Sequence, residues 1–260
     1  MNTMKCICLA AAAGGLTVTA LAGQEFAYAV DTNESLYLLS LDTVGATFDL
    51  IGNTGVFLEG LAVSPDGDLY GIDSGGNLYA VDKTNGSASL IGNTGLGSGE
   101  GLDFNGSTLL MSDFNAVPNI YSLDLSNATP TLVSTFGDTN TSVIRSFAVK
   151  SADQITARCD LPGPNSLYSE VLSTGATTHI GEMGGGIFAA IDYGANGSLY
   201  GMDDDGTVYR IDDTTGATTL LGDTGDNFWL GMACIGEVPE PASITVFAAG
   251  ALLLLARRRK

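Results

Sequence analysis

Carboxylates dominate the chemistry that this chain could carry out. Glu59 and Glu100 precede two matching segments, Gly60-Leu61 and Gly101-Leu102, so a repeated fold would bring both acids to one place. Two neighbouring carboxyls could act as general acid and base, or could hold calcium for the hydrolysis of a lactone. No sequence motif marks either residue for catalysis, and the sequence therefore favours binding over an enzyme.

Metal and nucleophile chemistry have little support. His179 is the one histidine, so a histidine-rich metal site cannot be built, and a Ser-His-Asp triad could form only around that residue. The run Asp203-Asp204-Asp205-Gly206 suggests calcium, with Asp203 and Asp205 as the metal ligands, but no glutamate follows at the spacing of a calcium-binding EF-hand loop. The sequence predicts no cofactor and leaves calcium as the one ion to test.

A repeat of 40 to 47 residues organises the chain. Leu69-Tyr70-Gly71-Ile72-Asp73 returns almost unchanged as Leu199-Tyr200-Gly201-Met202-Asp203, and related units end at three further aspartates, Asp31, Asp113 and Asp160. Each unit contains four short apolar segments separated by turn residues such as Thr-Asn-Gly. Four strands at this period are typical of a propeller blade.

The units predict an all-β fold, a five-bladed β-propeller of four-stranded antiparallel blades. The chain starts at Phe26–Asp31 on a second strand and finishes at Gly231–Ile235 on a first strand. That offset predicts that the last segment completes the first blade and removes a free sheet edge. The recurring tyrosines are predicted to pack between blades.

The phrase from Gly60 to Tyr70, with the turn Pro65-Asp66-Gly67, resembles the strand-turn-strand of secreted propellers of the NHL and quinoprotein-like superfamilies. The resemblance spans roughly residues 24–236 and implies architecture only, because no quinone-site or peptidase motif accompanies it.

Candidate ligand-binding residues follow from the topology. The repeated aspartates and the loops before each first strand should share one rim. A strand-end aspartate usually closes its own turn, so residues outside the repeat are better candidates for function. The hypothesis assigns ligand binding to the mouth of the central channel and its loops, and it treats Trp229 as lying outside the repeated packing set. These candidates are Phe57, Glu59, Glu100, Arg145, Phe228 and Trp229.

The C-terminal segment has features that indicate where the protein is delivered. Pro239-Glu240-Pro241 precedes an apolar run at residues 244–256 and the basic residues Arg257, Arg258, Arg259 and Lys260. This order resembles the PEP-CTERM sorting signal of Gram-negative bacteria and implies processing by exosortase, with transient inner-membrane insertion. The apolar run would act as a short transmembrane segment. An uncleaved tail anchor is the alternative.

The N-terminus reads as a signal peptide at residues 1–22. Lys5 precedes an apolar stretch, and Ala20-Leu21-Ala22 forms an A-x-A cleavage site. Export would place Cys159 and Cys234 in an oxidising compartment. We nevertheless expect two free thiols, because these cysteines fall in blades four and one, with blade five between them.

Charge and targeting together suggest a function. Without the two targeting ends, residues 23–236 hold 5 basic and 27 acidic residues, which excludes nucleic acid and anionic membranes as partners. The sequence predicts a non-catalytic propeller between a signal peptide and a sorting segment at residues 237–260. It would reach the cell surface or the extracellular space and bind a glycan, an exopolysaccharide or another matrix component or surface protein through its rim. A calcium-dependent propeller hydrolase or lactonase and a purely structural exopolysaccharide-matrix protein are the alternatives.

Overall fold

The protein is a five-bladed β-propeller. The computed structural model describes residues 25–41, 47–137, 143–160, 162–163, 165–225 and 229–235, which form five four-stranded antiparallel sheets. The strands are β1 (Phe26–Asp31), β2 (Ser35–Ser40), β3 (Phe48–Asn53), β4 (Gly60–Val63), β5 (Leu69–Ile72), β6 (Asn77–Val81), β7 (Ala88–Asn93), β8 (Gly99–Asn105), β9 (Thr108–Asp113), β10 (Asn119–Leu123), β11 (Pro130–Thr135), β12 (Ile144–Ser151), β13 (Gln154–Cys159), β14 (Ser166–Val171), β15 (Ala176–Glu182), β16 (Phe188–Tyr193), β17 (Leu199–Asp203), β18 (Thr207–Ile211), β19 (Thr218–Asp223) and β20 (Trp229–Ile235).

The ring closes as the sequence predicted. Blade one has the order β20-β1-β2-β3, and its inner strand comes from the end of the described chain. In this pairing Ala29 lies opposite Met232 and Tyr28 lies opposite Ala233. The other four blades are consecutive meanders, in which the first strand of each unit is innermost.

Apolar residues from neighbouring blades form the core. Between blades one and two, Val30 and Leu36 pack with Leu58, Leu61 and Tyr79, and all five side chains are buried. Similar clusters lie at the other junctions. Because both faces of each inner strand meet another blade, these strands read as apolar runs instead of alternating ones.

The strand-end aspartates close their own turns. Asp73 Oδ1 accepts hydrogen bonds from the backbone N–H groups of Gly75 and Asn77, and its Oδ2 accepts one from the hydroxyl of Tyr79. Asp31 makes the equivalent contacts, Asp203 accepts from the N–H four residues on and from a tyrosine hydroxyl, and Asp113 accepts from the N–H of Asn119. Four aspartates thus have the structural role expected of a repeated residue.

Outer-strand glycines let adjacent blades approach. A Cβ added at Gly92 would lie 2.3 Å from the carbonyl oxygen of Asn127, in the next blade, and one at Gly181 would lie 2.3 Å from that of Thr215. Only glycine fits these positions without moving backbone. The Ile-Gly pairs near the ends of β7 and β15, Ile91-Gly92 and Ile180-Gly181, therefore form contacts between blades.

The two cysteines lie in the blades that the sequence predicted, and no disulfide joins them. Cys159 lies in β13 of blade four, and Cys234 lies in β20 of blade one.

The predicted cleavage site at Ala20 and Ala22 and the sorting residues from Pro239 to Arg259 lie outside the described residues, so the signal peptide and C-terminal segment stay predictions. Within the described ranges, no helix has the length and apolar character needed to cross a bilayer.

Two inner-strand carboxylates connect neighbouring blades at the channel end opposite Glu59. Asp103 Oδ2 accepts a hydrogen bond of 2.6 Å from the N–H of Val149, and Asp192 Oδ2 accepts one of 2.6 Å from the N–H of Cys234. Burial raises the pKa of Asp103 to about 7. Burial, and then repulsion by Asp103, raises the pKa of Asp192 well above its usual value.

Closure by β20 gives the first prediction. A chain that ends at Gly225 lacks β20, so β1 keeps an unpaired edge and blades two and five lose a neighbour. We expect this chain to unfold or aggregate, whereas one that ends at Glu237 should keep the wild-type melting temperature. Circular dichroism and size-exclusion chromatography check this, and equal melting temperatures would contradict the closed ring.

The Asp103–Asp192 pair gives a prediction about pH. In the unfolded chain Asp103 ionises near its usual pKa of 3.8, whereas in the folded protein it keeps its proton up to about pH 7. Unfolding therefore releases protons in that window, and this pair's contribution to stability falls as pH rises through it.

Asp103→Asn should flatten the loss of melting temperature between pH 5 and pH 8, because the pair can no longer carry two charges. The variant should be less stable at pH 5, since its amide accepts only one of the two backbone N–H groups. Thermal melts of both proteins across this range check the slope. Parallel curves would show that the pair does not titrate as described.

Candidate functional site

A cavity opens at one mouth of the central channel. Its volume is about 440 Å³, and it lies on the rim that carries the strand-end aspartates. The turns of that rim meet as predicted: the N–H of Thr54, after β3, donates to the carbonyl of Glu34, after β1. The lining residues are Glu59, Glu100, Arg145, Arg158, Asp160, Ile187, Phe188, Ala189, Asp204, Trp229 and Leu230.

Five equivalent positions surround the cavity, one from each inner strand. Strand pairing makes Gly60, Gly101, Ser146, Ala190 and Gly231 equivalent, so the residues directly before them are equivalent too. Those residues are Glu59, Glu100, Arg145, Ala189 and Leu230. At these five positions, blades two, three and four therefore present charged residues, whereas blades five and one present apolar ones.

Blade four departs from the repeat and creates part of the charged side. In blades one, three and five the aspartate pairs with the start of the inner strand, as Asp203 does with Phe188, but in blade four Cys159 pairs with Ile144 in that place. The prediction that Asp160 is the fourth equivalent aspartate is therefore wrong, because the chain is shifted by one residue there. Among the described residues, no turn N–H group donates to the Asp160 carboxylate, which contacts two arginines instead.

Ion pairs in the cavity converge on Asp160. Arg158 Nη1 lies 2.8 Å from Asp160 Oδ1, and Arg145 Nε lies 3.2 Å from Asp160 Oδ2. Arg145 also stacks over the ring of Phe114 at 4.7 Å, which restrains its guanidinium. Its remaining contact with Glu100 is long, at 3.8 Å from Nη1 to Oε2.

Burial disfavours the charged forms of several groups at the mouth. It raises the pKa of Glu100 to about 7, helped by the nearby charge of Glu59, although Arg145 opposes the shift. Burial likewise raises the pKa of Glu59, which Arg145 again opposes. Burial also lowers the pKa of Arg158, against the effect of Asp160. The mouth therefore holds carboxylates that their surroundings solvate poorly.

The predicted binding residues divide into three groups. Glu59, Glu100 and Arg145 meet in the cavity, whereas Phe57 is 38% exposed and does not line it. Phe228 lies outside the described residues. Trp229 lines the cavity, but the expectation that it lies outside the packing set is wrong.

Trp229 is 0% exposed, and its ring packs edge-on against Tyr37 and Phe48, with centroids 5.0 and 6.1 Å away. It closes the junction of blades five and one because β20 must be covered from both sides.

The calcium hypothesis gains no geometric support. The Asp203 carboxylate already accepts from the N–H groups of Gly186 and Thr207, and Asp205 lies exposed in the following turn. Across the described part of the chain, no three His, Cys, Asp or Glu side chains form a group that could hold a metal ion. His179, in the outer strand β15, contacts Glu182 at 3.2 Å and lies away from the cavity lining.

Sequence reasoning did not identify Arg158, Ile187, Phe188 and Asp204 as site residues. The sequence did contain a sign of Arg158. This residue occupies the position at which the other blades have Val30, Ile72, Ser112 and Met202, and a buried arginine there is a clear exception to the repeat. Ile187 and Asp204 had no such sign, since only the assembled ring brings their loops together.

Comparison with known proteins supports the fold. No family profile and no characterised protein matches the chain in sequence. Among solved structures, a chain of a nidogen/laminin complex superposes with a TM-score of 0.56 at 12% identity, covering 82% of this chain and 98% of that one. A gluconolactonase from Xanthomonas campestris superposes with a TM-score of 0.51 at 14% identity, covering 78% and 77%. At this identity the likeness shows a shared β-propeller architecture.

Burial of Trp229 gives a prediction about stability. Trp229→Ala should destabilise the fold by about 3–5 kcal/mol, because it leaves a large cavity between blades five and one. Phe57→Ala, an aromatic truncation at an exposed position on the same rim, should cost well under half as much. Chemical denaturation of both variants checks this. A near-neutral Trp229→Ala would show that this side chain is not part of the core.

Proposed function

We propose that this protein is a non-catalytic binding propeller that takes part of a glycan into the cavity at the channel mouth. The supporting observation is the division of that cavity: Glu59, Glu100 and Arg145 on one side, and Ile187, Ala189 and Leu230 on the other. A sugar ring has an apolar face and a polar edge, and a site that binds it needs both kinds of surface.

The size and rigidity of the cavity agree with a short saccharide. A volume of about 440 Å³ lies within the usual range for small-molecule sites. Its inner residues are held by strands, and the N–H of Trp229 donates to the carbonyl of Asp204, whose own N–H donates to that of Ile187. A preformed site loses little entropy on binding.

We infer export and surface delivery from the targeting ends. The signal peptide would direct secretion, and the PEP-CTERM-like segment would be processed by exosortase after transient insertion in the inner membrane. The partner would then be an extracellular polysaccharide or a surface protein. The strongly acidic body supports a role outside the cell, where charge favours solubility.

A hydrolase is the second candidate. Glu59 and Glu100 line one cavity, and the pKa of Glu100 near 7 would suit a general acid. A calcium-dependent lactonase would need more oxygen ligands for the ion than the side chains of Glu59 and Glu100 supply. Incubation of the full chain with lactones and glycosides, with and without calcium, separates this candidate from binding, because sustained turnover lost in Glu100→Gln would favour the enzyme.

The proposed function predicts which surface residues affect retention. Glu59→Gln combined with Ile187→Ser should reduce retention on the exopolysaccharide of the source organism by at least tenfold, because it alters both sides of the mouth. Ile187 is 52% exposed, so its replacement should leave the fold intact. Co-sedimentation with the purified polymer measures the effect.

Asp49→Asn combined with Leu90→Ser is the matched control. Leu90 is 62% exposed on outer strand β7, and Asp49 is exposed on outer strand β3, both away from the cavity lining. Retention by this control should equal that of the wild type. If both double variants lost retention equally, or if neither lost it, the channel mouth would be ruled out as the binding site.

A further inference from the structure

The cavity has more acid than its own arginines neutralise. Four carboxylates line it, from Glu59, Glu100, Asp160 and Asp204, against two guanidinium groups. Both guanidiniums contact the same acid, Asp160, at 2.8 and 3.2 Å. The excess negative charge therefore falls on the other three.

Glu100 and Glu59 are the poorly compensated acids. The Glu100 side chain is 12% exposed, so it has lost most of its water, yet its one ion pair with a described residue is 3.8 Å long. Glu59 forms no ion pair with any described residue. A partly desolvated carboxylate that lacks a close cation is costly, and a ligand that supplies the cation is stabilised correspondingly.

The cation is not free to come from Arg145. Its Nε is bonded to Asp160, and its Cζ lies 4.7 Å from the centroid of the Phe114 ring. Moving the guanidinium toward Glu100 would disturb both contacts. The apolar side, which includes Ile187 and Leu230, lies across the same cavity. An apolar surface of this kind can pack against the face of a ring but offers nothing to a hydrated ion.

We propose that the ligand of this cavity is an amino sugar whose primary ammonium group lies between Glu59 and Glu100, with its ring against the apolar side. This inference rests on the proposed function and deepens it by naming the substrate class. The raised pKa of Glu100, about 7, agrees with it, since an incoming ammonium would return that carboxyl to its charged form and release a proton.

The test compares two disaccharides that differ in the amine alone. Glucosamine disaccharide and its di-N-acetylated counterpart are titrated into the full chain by calorimetry at 0.15 M salt and pH 6.5. The free amine should bind at least tenfold more tightly. Titrations in two buffers of different ionisation heat should show proton release on binding, and this release should disappear in Glu100→Gln.

Two double variants locate the effect. Glu59→Gln with Glu100→Gln should remove the preference for the free amine. Asp49→Asn with Asp66→Asn, which deletes the same charge at exposed positions outside the cavity, should keep it. This control separates the site from general attraction of a cation to a chain of net charge −19.

Three results would contradict the inference in different ways. Equal affinity for both disaccharides, with loss of binding in the cavity variant, would overturn the amino-sugar inference and leave glycan binding at the mouth in place. A preference that persists in the cavity variant would overturn the site. Failure of both disaccharides to bind would overturn the inference, and the retention experiment would then decide the proposed function independently.

Discussion

The pairing of β20 with β1 is the contact on which the rest of the structure depends. A propeller blade is too small to bury its own faces, and each one is stable because two neighbours cover it. The described chain starts on a second strand, so blade one has an inner strand only when the last segment returns to it. The same return packs Trp229 against Tyr37 and Phe48 and brings Leu230 to the channel mouth.

Repetition and departure from repetition have different roles here. The repeated aspartates accept from the N–H groups of their turns, and the tyrosines that bond to them connect the third strand to the same turn, so these residues maintain the blade. Residues that depart from the repeat are better candidates for ligand binding. In blade four a shift of one residue puts Cys159 in the aspartate position and releases Asp160, and this gives Arg145 and Arg158 their common partner.

The sequence predicted the fold well and the site in part. A period of 40 to 47 residues with turn chemistry between strands leaves few alternatives to a propeller, and the second-strand start made closure predictable. Glu59, Glu100 and Arg145 were found because they break a pattern at equivalent positions. Trp229 broke the pattern too, yet it is core, because a unique aromatic residue can fill a unique junction as readily as it can bind a ligand.

Residues such as Ile187 and Asp204 could not be predicted, because their place depends on distances across the ring that no local pattern records. The same holds for the Asp103–Asp192 pair. Its four hydrogen bonds to backbone N–H groups join strands far apart in the chain, as well as the residues next to each acid. In the sequence, an aspartate in an apolar strand is only an exception to the pattern. Its role is visible once the neighbouring blade provides the backbone N–H group that donates to it.

Local desolvation, more than net charge, gives the channel mouth its chemistry. Exposed carboxylates on the outer surface are screened by salt within about 8–10 Å and discriminate little among cations. Glu100, at 12% exposure, interacts through a medium of much lower polarity, so its preference for a cation is stronger and depends on shape. The acidic body can raise the local concentration of cationic partners, but selection among them requires a carboxylate that has lost its water and an apolar surface opposite it.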